Sequence, residues 1–425
     1  MSTKRERSPR GTKKEVVKFS RSALQQAAKV YSDKVKELEA VINETVYERD
    51  EIVHVGICCV LTRMNMFQLG SNKQNWGVAK TYTNEKILQG FGFDPQKPEY
   101  FTTTLNSQTL IDSIVGMPWP RMDTEELIRR PAGIRVATVA HIGEIWNASG
   151  PILTCLNDLL LKEFKDGTLA VEELSQLRCI FSDSNVLPPL NDSSLWALKD
   201  RFHFNFVVGD LTVEENFKKM LRNKAKKTFG KQKISAVLSP DYFEVIEQQI
   251  GLVEFPESAI TCLSQIRNDL IAAKISLSPR RYNDSIAALK YQAWYAGDTA
   301  VRPRHFGILK PILWELEGQR VYAEAAIEKV INSKLYAGER RDQIKADLAE
   351  LNVRVGAVLS TALNDTGVKA LFSILEELKP MEEDLDTLAM DLPRSKYRPL
   401  DQARVLLKRR INTALIAADG RKDHP

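Results

Sequence analysis

Apolar residues recur at helical spacing from Ser20 to Leu61: Leu24, Ala27, Val30, Val35, Leu38, Val41 and Ile42, then Val46, Ile52, Val55 and Cys59. Residues three and four apart share one face of a helix, so this stretch predicts helices with one buried stripe. Between Met64 and Ser184 the pattern changes. Runs that suit strands (Met66-Phe67-Gln68-Leu69, Ile134-Arg135-Val136-Ala137-Thr138-Val139 and Arg178-Cys179-Ile180-Phe181-Ser182) alternate with helical patterns, and Phe202 to Val208 is a further strand run. Strands alternating with helices predict a parallel α/β sheet. From Val213 onward the chain reads as helical almost throughout, with a break at Asp391-Leu392-Pro393-Arg394-Ser395 and a closing basic helix that carries Arg404, Lys408, Arg409 and Arg410. Val321 to Leu378 reads as long amphipathic helices, with Ala326, Val330, Ile331, Leu335, Ile344, Leu348, Leu351, Val355, Leu359 and Leu363 on the apolar side. These suit either an interaction arm or ordinary packing.

The length of 425 residues, 43% of them hydrophobic, implies two or three domains with a substantial core. A net charge of +5 is small for such a chain and argues against a dedicated nucleic-acid binder, which shows a clustered basic surface. Met1 to Lys18 is basic and has no apolar face to bury, so a disordered tail is expected, with a nucleic-acid or partner arm as the minor alternative. It lacks the apolar stretch of a secretory signal. No apolar run reaches the ~18–20 residues that span a bilayer. The five cysteines are scattered and show no C-x-x-C spacing, which predicts buried thiols in a reducing compartment rather than disulfides or a zinc site. A cytoplasmic location follows as the expectation.

Six short segments carry candidate chemistry. Gln74-Asn75-Trp76-Gly77-Val78-Ala79-Lys80-Thr81 lies between a strand run and a helix run, the setting in which a loop cradles phosphates, a Lys reaches them and a Thr meets Mg²⁺. A surface loop with an ordinary lysine is the plainer alternative. Gly143-Glu144-Ile145-Trp146 follows a strand run, where a Glu polarises a water or is simply solvated. Asp183-Ser184-Asn185 ends another, and an amide there donates and accepts; it also suits a turn before Pro188. Leu195-Trp196-Ala197-Leu198-Lys199-Asp200-Arg201-Phe202 ends in an arginine that suits phosphoryl charge or a helix end. Ser278-Pro279-Arg280-Arg281-Tyr282 opens a helical run that ends at Trp314, with Ile308, Leu309, Ile312, Leu313 and Trp314 as a late helix face. Val46-Tyr47-Glu48-Arg49-Asp50-Glu51-Ile52-Val53 completes the set.

In this order, the six segments resemble the MoxR/RavA-type AAA+ ATPases over roughly Val46 to Trp314. The resemblance implies a P-loop AAA+ core with a parallel sheet, an all-α lid and a helical C-terminal extension: a tail at 1–19, a core at 20–212, a lid at 213–318 and an extension at 319–425. It implies ATP and Mg²⁺ as cofactors. Gly77, Val78, Ala79, Lys80 and Thr81 would hold the nucleotide, with Thr81 on the metal and Glu48 and Arg49 at the base-binding end. Glu144 would activate water and Asn185 would position it. Arg201 would act in trans as a finger, and Arg280 in cis as the sensor on the lid. Two segments depart from the family: Gln74 replaces the first loop glycine (unless Gly70 is that glycine, with an insertion after it), and Gly143 replaces the Asp that helps hold Mg²⁺. The resemblance further implies a homo-oligomer, usually a hexameric ring, chaperone-like remodelling of partner proteins, and a von Willebrand A-domain partner. The alternative is a degenerate structural subunit that binds nucleotide weakly or not at all.

Overall fold

The computed structural model describes residues 21–70, 77–120, 127–129, 132–165, 171–188, 192–225, 234–333, 337–360, 364–391 and 394–419. The basic tail and Gln74, Asn75 and Trp76 lie outside the described residues. The chain divides into two compact units, residues 1–327 and 328–425.

The first unit is built on five parallel strands: β1 (Met66–Gly70), β2 (Tyr100–Thr104), β3 (Val139–Gly143), β4 (Cys179–Ser184) and β5 (Phe204–Val208), in the order β2-β3-β4-β1-β5. Every residue of β3 and β4 is buried. That is the mark of central strands with both faces covered. β1 is followed by a crossover to the far edge, while the chain from β4 passes over β1 to β5. The connections leave β1 and β4 in opposite directions, so a crevice opens at the carboxyl ends of these strands, where ligands of open α/β sheets bind. The core beneath is made by Phe67, Ile142, Ile152, Leu156, Ile180 and Phe202, among others.

Helix α1 (Arg21–Asn43) and helix α2 (Asp50–Thr62) realise the early helical pattern, and α3 (Lys80–Gly90) follows Gly77-Val78-Ala79. α2 buries Ile52, Val53 and all of Val55–Leu61, which is why its sequence is apolar nearly all round.

Three sequence expectations need correction. The run Ile134–Val139 is not a strand. Gly133–Val136 is a 3₁₀ turn, and the strand starts at Val139, after the amides of Thr138 and Val139 both bond Glu99 O. The edge strand β2 was not anticipated: Tyr100-Phe101-Thr102-Thr103-Thr104 is mostly polar because the strand has a neighbour on one side only. The helix opening at Pro279 ends at Tyr295 and does not run on to Trp314; Ile308 and Leu309 lie in a 3₁₀ segment (Pro303–Leu309) and Ile312, Leu313 and Trp314 in the chain after it, all buried. Pro303 and Pro311 interrupt the backbone hydrogen bonding that a continuous helix needs.

The second unit is a three-helix assembly of Ala337–Leu359, Asp365–Asp391 and Arg394–Asp419. Its core contains Ile344, Leu348, Leu351 and Val355 against Leu371, Ile374, Leu378, Leu407 and Ile411. The helices end and restart where Pro393 was expected to break them. All five cysteines are free thiols, and none of the described helices is long and apolar enough to cross a membrane.

Candidate active site at the strand tips

Gly77, Val78 and Ala79 lead into α3, which opens with Lys80. Gly77 (φ 86°) and Ala79 (φ 64°) both take left-handed backbone angles. For Ala79 this costs of order 1 kcal/mol, and such strain gathers at ligand sites. It turns the chain directly into α3, whose first-turn N–H groups lack partners within the helix and form a ready seat for phosphate. Val78 is buried, and its carbonyl is held by Arg49, which also donates to Glu48 O and Gly209 O. Arg49 therefore ties the phosphate loop to the end of β5. Burial lowers its pKa, against the opposing pull of Glu48 and Asp210.

Lys80 Nζ donates to Asn185 Oδ1 at 2.6 Å, and Asn185 Nδ2 donates to Glu144 Oε1 at 2.6 Å. Three side chains from three elements thus form one line across the tips of β1, β4 and β3. Glu144 Oε2 stands 3.4 Å from each of Ser184 Oγ, the Asn185 amide and Asn147 Nδ2. Glu144 itself has φ 51°, a second non-glycine residue in a strained conformation at these tips. Gly70, the last residue of β1, makes room for the line: a Cβ there would lie 2.7 Å from Asn185 Oδ1 and 3.1 Å from Lys80 Nζ. A side chain at position 70 would push the ends of the lysine and the amide aside from where they meet in front of β1.

Below this line lies a second one. Thr81 Oγ1 donates to Asp183 Oδ2 at 3.3 Å, and His141 Nε2 meets the same oxygen at 2.8 Å. Both His141 and Asp183 are buried. Sequence reasoning quoted Asp183 but gave it no role. The available signal was an acid inside an apolar strand, which stays buried only with partners; the register that supplies them was not readable.

Glu48 is not part of the line. Its carboxylate accepts from the amides of Thr212 and Val213 and from the side chains of Thr212 and Asn216. It caps the helix Glu214–Ala225, and the two backbone bonds hold its carboxyl down at about 2.

The two arginine candidates come together elsewhere. Arg280 lies 3.6 Å from Asp200, next in the chain to Arg201. Arg201 Nη1 donates to Ala197 O, and burial followed by the charge of Arg280 lowers its pKa. Arg281, not anticipated as important, is fully buried and bonds Asp200 Oδ1 at 2.9 Å and Ile312 O at 2.9 Å. Ser278 also donates to Asp200. Among the described residues, no hydrogen bond or ion pair joins this cluster to Lys80, Asn185 or Glu144.

Residues 33–247 match the family model described as the MoxR domain in the MoxR-vWA-beta-propeller ternary systems. The chain belongs to the MoxR family of AAA+ ATPases. Two uncharacterized proteins of Methanocaldococcus jannaschii are similar to this MoxR chain: one is 25% identical over 66% of this chain and 70% of its own length, the other 23% identical over 75% and 81%. The crystal structure of a protein from Cytophaga hutchinsonii, provisionally assigned as an ATPase, matches with a TM-score of 0.57 and 14% identity, over 73% of this chain and 97% of that one. At that identity the match establishes the fold: a MoxR-type α/β core with helical additions.

Proposed function

We propose that this MoxR-family chain binds and hydrolyses ATP with Mg²⁺, as one subunit of a ring. The observation that carries the proposal is the line Lys80–Asn185–Glu144 in front of Gly70. A buried ammonium, an amide that both donates and accepts, and a carboxylate sit at the strand ends, beside the open first turn of α3. The donor set suits a magnesium nucleotide: Lys80 and the backbone of Gly77, Val78 and Ala79 for phosphate, Thr81 for the metal. Mg²⁺ supplies charge neutralisation and polarisation of the transferred phosphoryl group.

The residues then divide the work. Lys80 exchanges its bond to Asn185 for one to phosphate. That frees the Asn185 oxygen, while its amide N–H₂ keeps Glu144 aimed at the site where water attacks. Glu144 orients and polarises that water. Arg201 and Arg280 share the neighbourhood of Asp200, so both are assigned to the same nucleotide, that of the adjoining subunit; this replaces the in-cis expectation for Arg280. Arg49 and Glu48 hold the loop and the following helix rather than touching the base. A hexameric ring, a von Willebrand A-domain partner of the kind named in the family description, and chaperone-like remodelling of that partner complete the proposal.

Gly143 favours a second reading, a structural subunit without turnover. Phosphate release with ATP and Mg²⁺ separates the two. Turnover in the wild type that is lost in both Lys80→Ala and Glu144→Gln supports the ATPase. A wild type that binds ATP and releases no phosphate supports the structural subunit.

A further inference from the structure

Gly143 ends β3 at the position where the resemblance implies a Mg²⁺-holding Asp. The neighbouring strand supplies a carboxylate at the same level. Gly143 pairs in register with Asp183 of β4. A Cβ built on Gly143 would lie 3.6 Å from Asp183 Oδ1 and 3.3 Å from Thr104 Oγ1. The Asp183 carboxylate therefore borders the space that a side chain at position 143 would enter. A second acid at 143 would set two carboxylates side by side in a buried site, where only one ionises readily.

Asp183 also holds the partner that a metal-site carboxylate needs. Its Oδ2 accepts from Thr81 Oγ1, the hydroxyl proposed for Mg²⁺. His141, two residues before Gly143 on β3 and buried, holds the same oxygen from the other side and has Thr102 Oγ1 3.5 Å behind it. No described residue hydrogen-bonds to Oδ1. The carboxylate is thus clamped through one oxygen.

We propose that the Mg²⁺ aspartate of this site has moved from β3 to β4: Asp183, beside Thr81, supplies the negative charge in the metal's coordination sphere, with His141 as its positioning residue. The glycine at 143 and the aspartate at 183 are then one compensated exchange rather than a lost motif. This inference rests on the nucleotide-binding reading above.

The test is calorimetric binding of ATP to the full chain, once with Mg²⁺ and once with EDTA, for wild type, Asp183→Asn, His141→Gln and the double variant Gly143→Asp/Asp183→Ser. Mn²⁺ electron paramagnetic resonance in the presence of ADP gives a second readout of the metal. The wild type is expected to bind ATP more tightly with Mg²⁺. Asp183→Asn, its fold checked by circular dichroism, is expected to lose at least about 10–100-fold of metal affinity, the loss typical of the outer-shell partners of a metal site. His141→Gln should lose less, and the double variant should regain the metal increment. If Asp183→Asn keeps the full increment, the relocation is wrong while the nucleotide site stands. A wild type that binds ATP equally with and without Mg²⁺ overturns the relocation in the same way. A wild type that binds no ATP under either condition overturns the nucleotide reading itself, and this inference with it.

Discussion

Lys80 and Arg281 are both buried cations in motifs that define the site, yet they are placed for opposite purposes. The Lys80 side chain donates to the amide oxygen of Asn185, a group that a phosphate oxygen can replace. Arg281 bonds Asp200 Oδ1 and Ile312 O, and lies 3.7 Å from Glu315. It fastens the turn after Lys199, the Pro279–Tyr295 helix and the segment after the 3₁₀ turn to one another. The first arrangement is a set of exchangeable partners, the second a staple. Motif membership alone does not separate them; the number and kind of partners do. In Ser-Pro-Arg-Arg the second arginine is structural, while the first keeps 44% of its side chain exposed and is free to meet a ligand.

The largest expected effect breaks the comparison at its active end. Arg201→Ala should cut turnover by roughly 10³-fold or more, the usual worth of an arginine acting on phosphoryl charge from a neighbour. ATP affinity of the isolated subunit should stay near wild type. The measurement is steady-state phosphate release beside ATP binding, each over a range of protein concentration. An equal loss of affinity in isolated subunits would put Arg201 in its own site and dissolve the division between the two regions.

Glu144→Gln comes next, at about 10²–10⁴ in turnover. The glutamine keeps an oxygen to accept from Asn185 Nδ2, so ATP binding should survive. A matching fall in affinity would mean that Glu144 holds the loop rather than the water.

Arg281→Ala tests the staple. Asp200 is half-buried and keeps Ser278 and Arg280 as partners, so losing the charged hydrogen bond from Arg281 should cost about 1.5–3 kcal/mol of stability, read from denaturant unfolding of the full chain. Arg280→Ala, a half-exposed partner of the same carboxylate, should cost less than about 1 kcal/mol. Equal losses would show that the two arginines do not differ as their burial suggests.

Much of this was legible in the sequence, and the illegible part has a physical pattern. β1 and α3 followed from hydrophobic period and loop context, whereas Lys80, Asn185 and Glu144 were singled out together by the family resemblance; period and context alone left a surface lysine, a turn asparagine and a solvated glutamate open. What depended on register was hidden. Asp183 lies opposite Gly143 only because β3 and β4 pair in one alignment, and nothing local fixes that alignment. Glu48 and Arg49 were expected at the base-binding end from the family resemblance, with an exposed charged turn as the alternative. Their partners, Thr212, Val213 and Gly209, lie more than a hundred residues away. The strand expected at Ile134 failed because apolar content was read without the backbone: the left-handed angle at Gly133 sends the chain into a 3₁₀ turn first.

The last effect concerns pH, and it starts in the stapled region. His203, two residues after Arg201, accepts from the Asn65 amide through Nδ1 at 2.8 Å and lies 3.4 Å from Asp284 through Nε2. A proton on Nδ1 would remove the acceptor that Asn65 uses, so the fold holds the neutral tautomer. Burial first, then the charges of Lys162 and Arg281, push its pKa down to about 3. The unfolded chain takes up this proton near the ordinary value of about 6.5, before the folded chain does. Stability is therefore complete above about pH 7 and falls as the pH drops through the histidine range. The expected loss is about 2 kcal/mol between pH 7 and pH 5, since about one and a half pH units of that interval lie below the ordinary histidine value. His203→Gln, which keeps an acceptor and cannot titrate, should flatten that part of the curve. An unchanged slope in the variant would mean that the acid sensitivity comes from elsewhere, with His305, whose pKa burial also lowers, the next group to replace, and that the region around Asp200 is no more protected from protons than the strand tips.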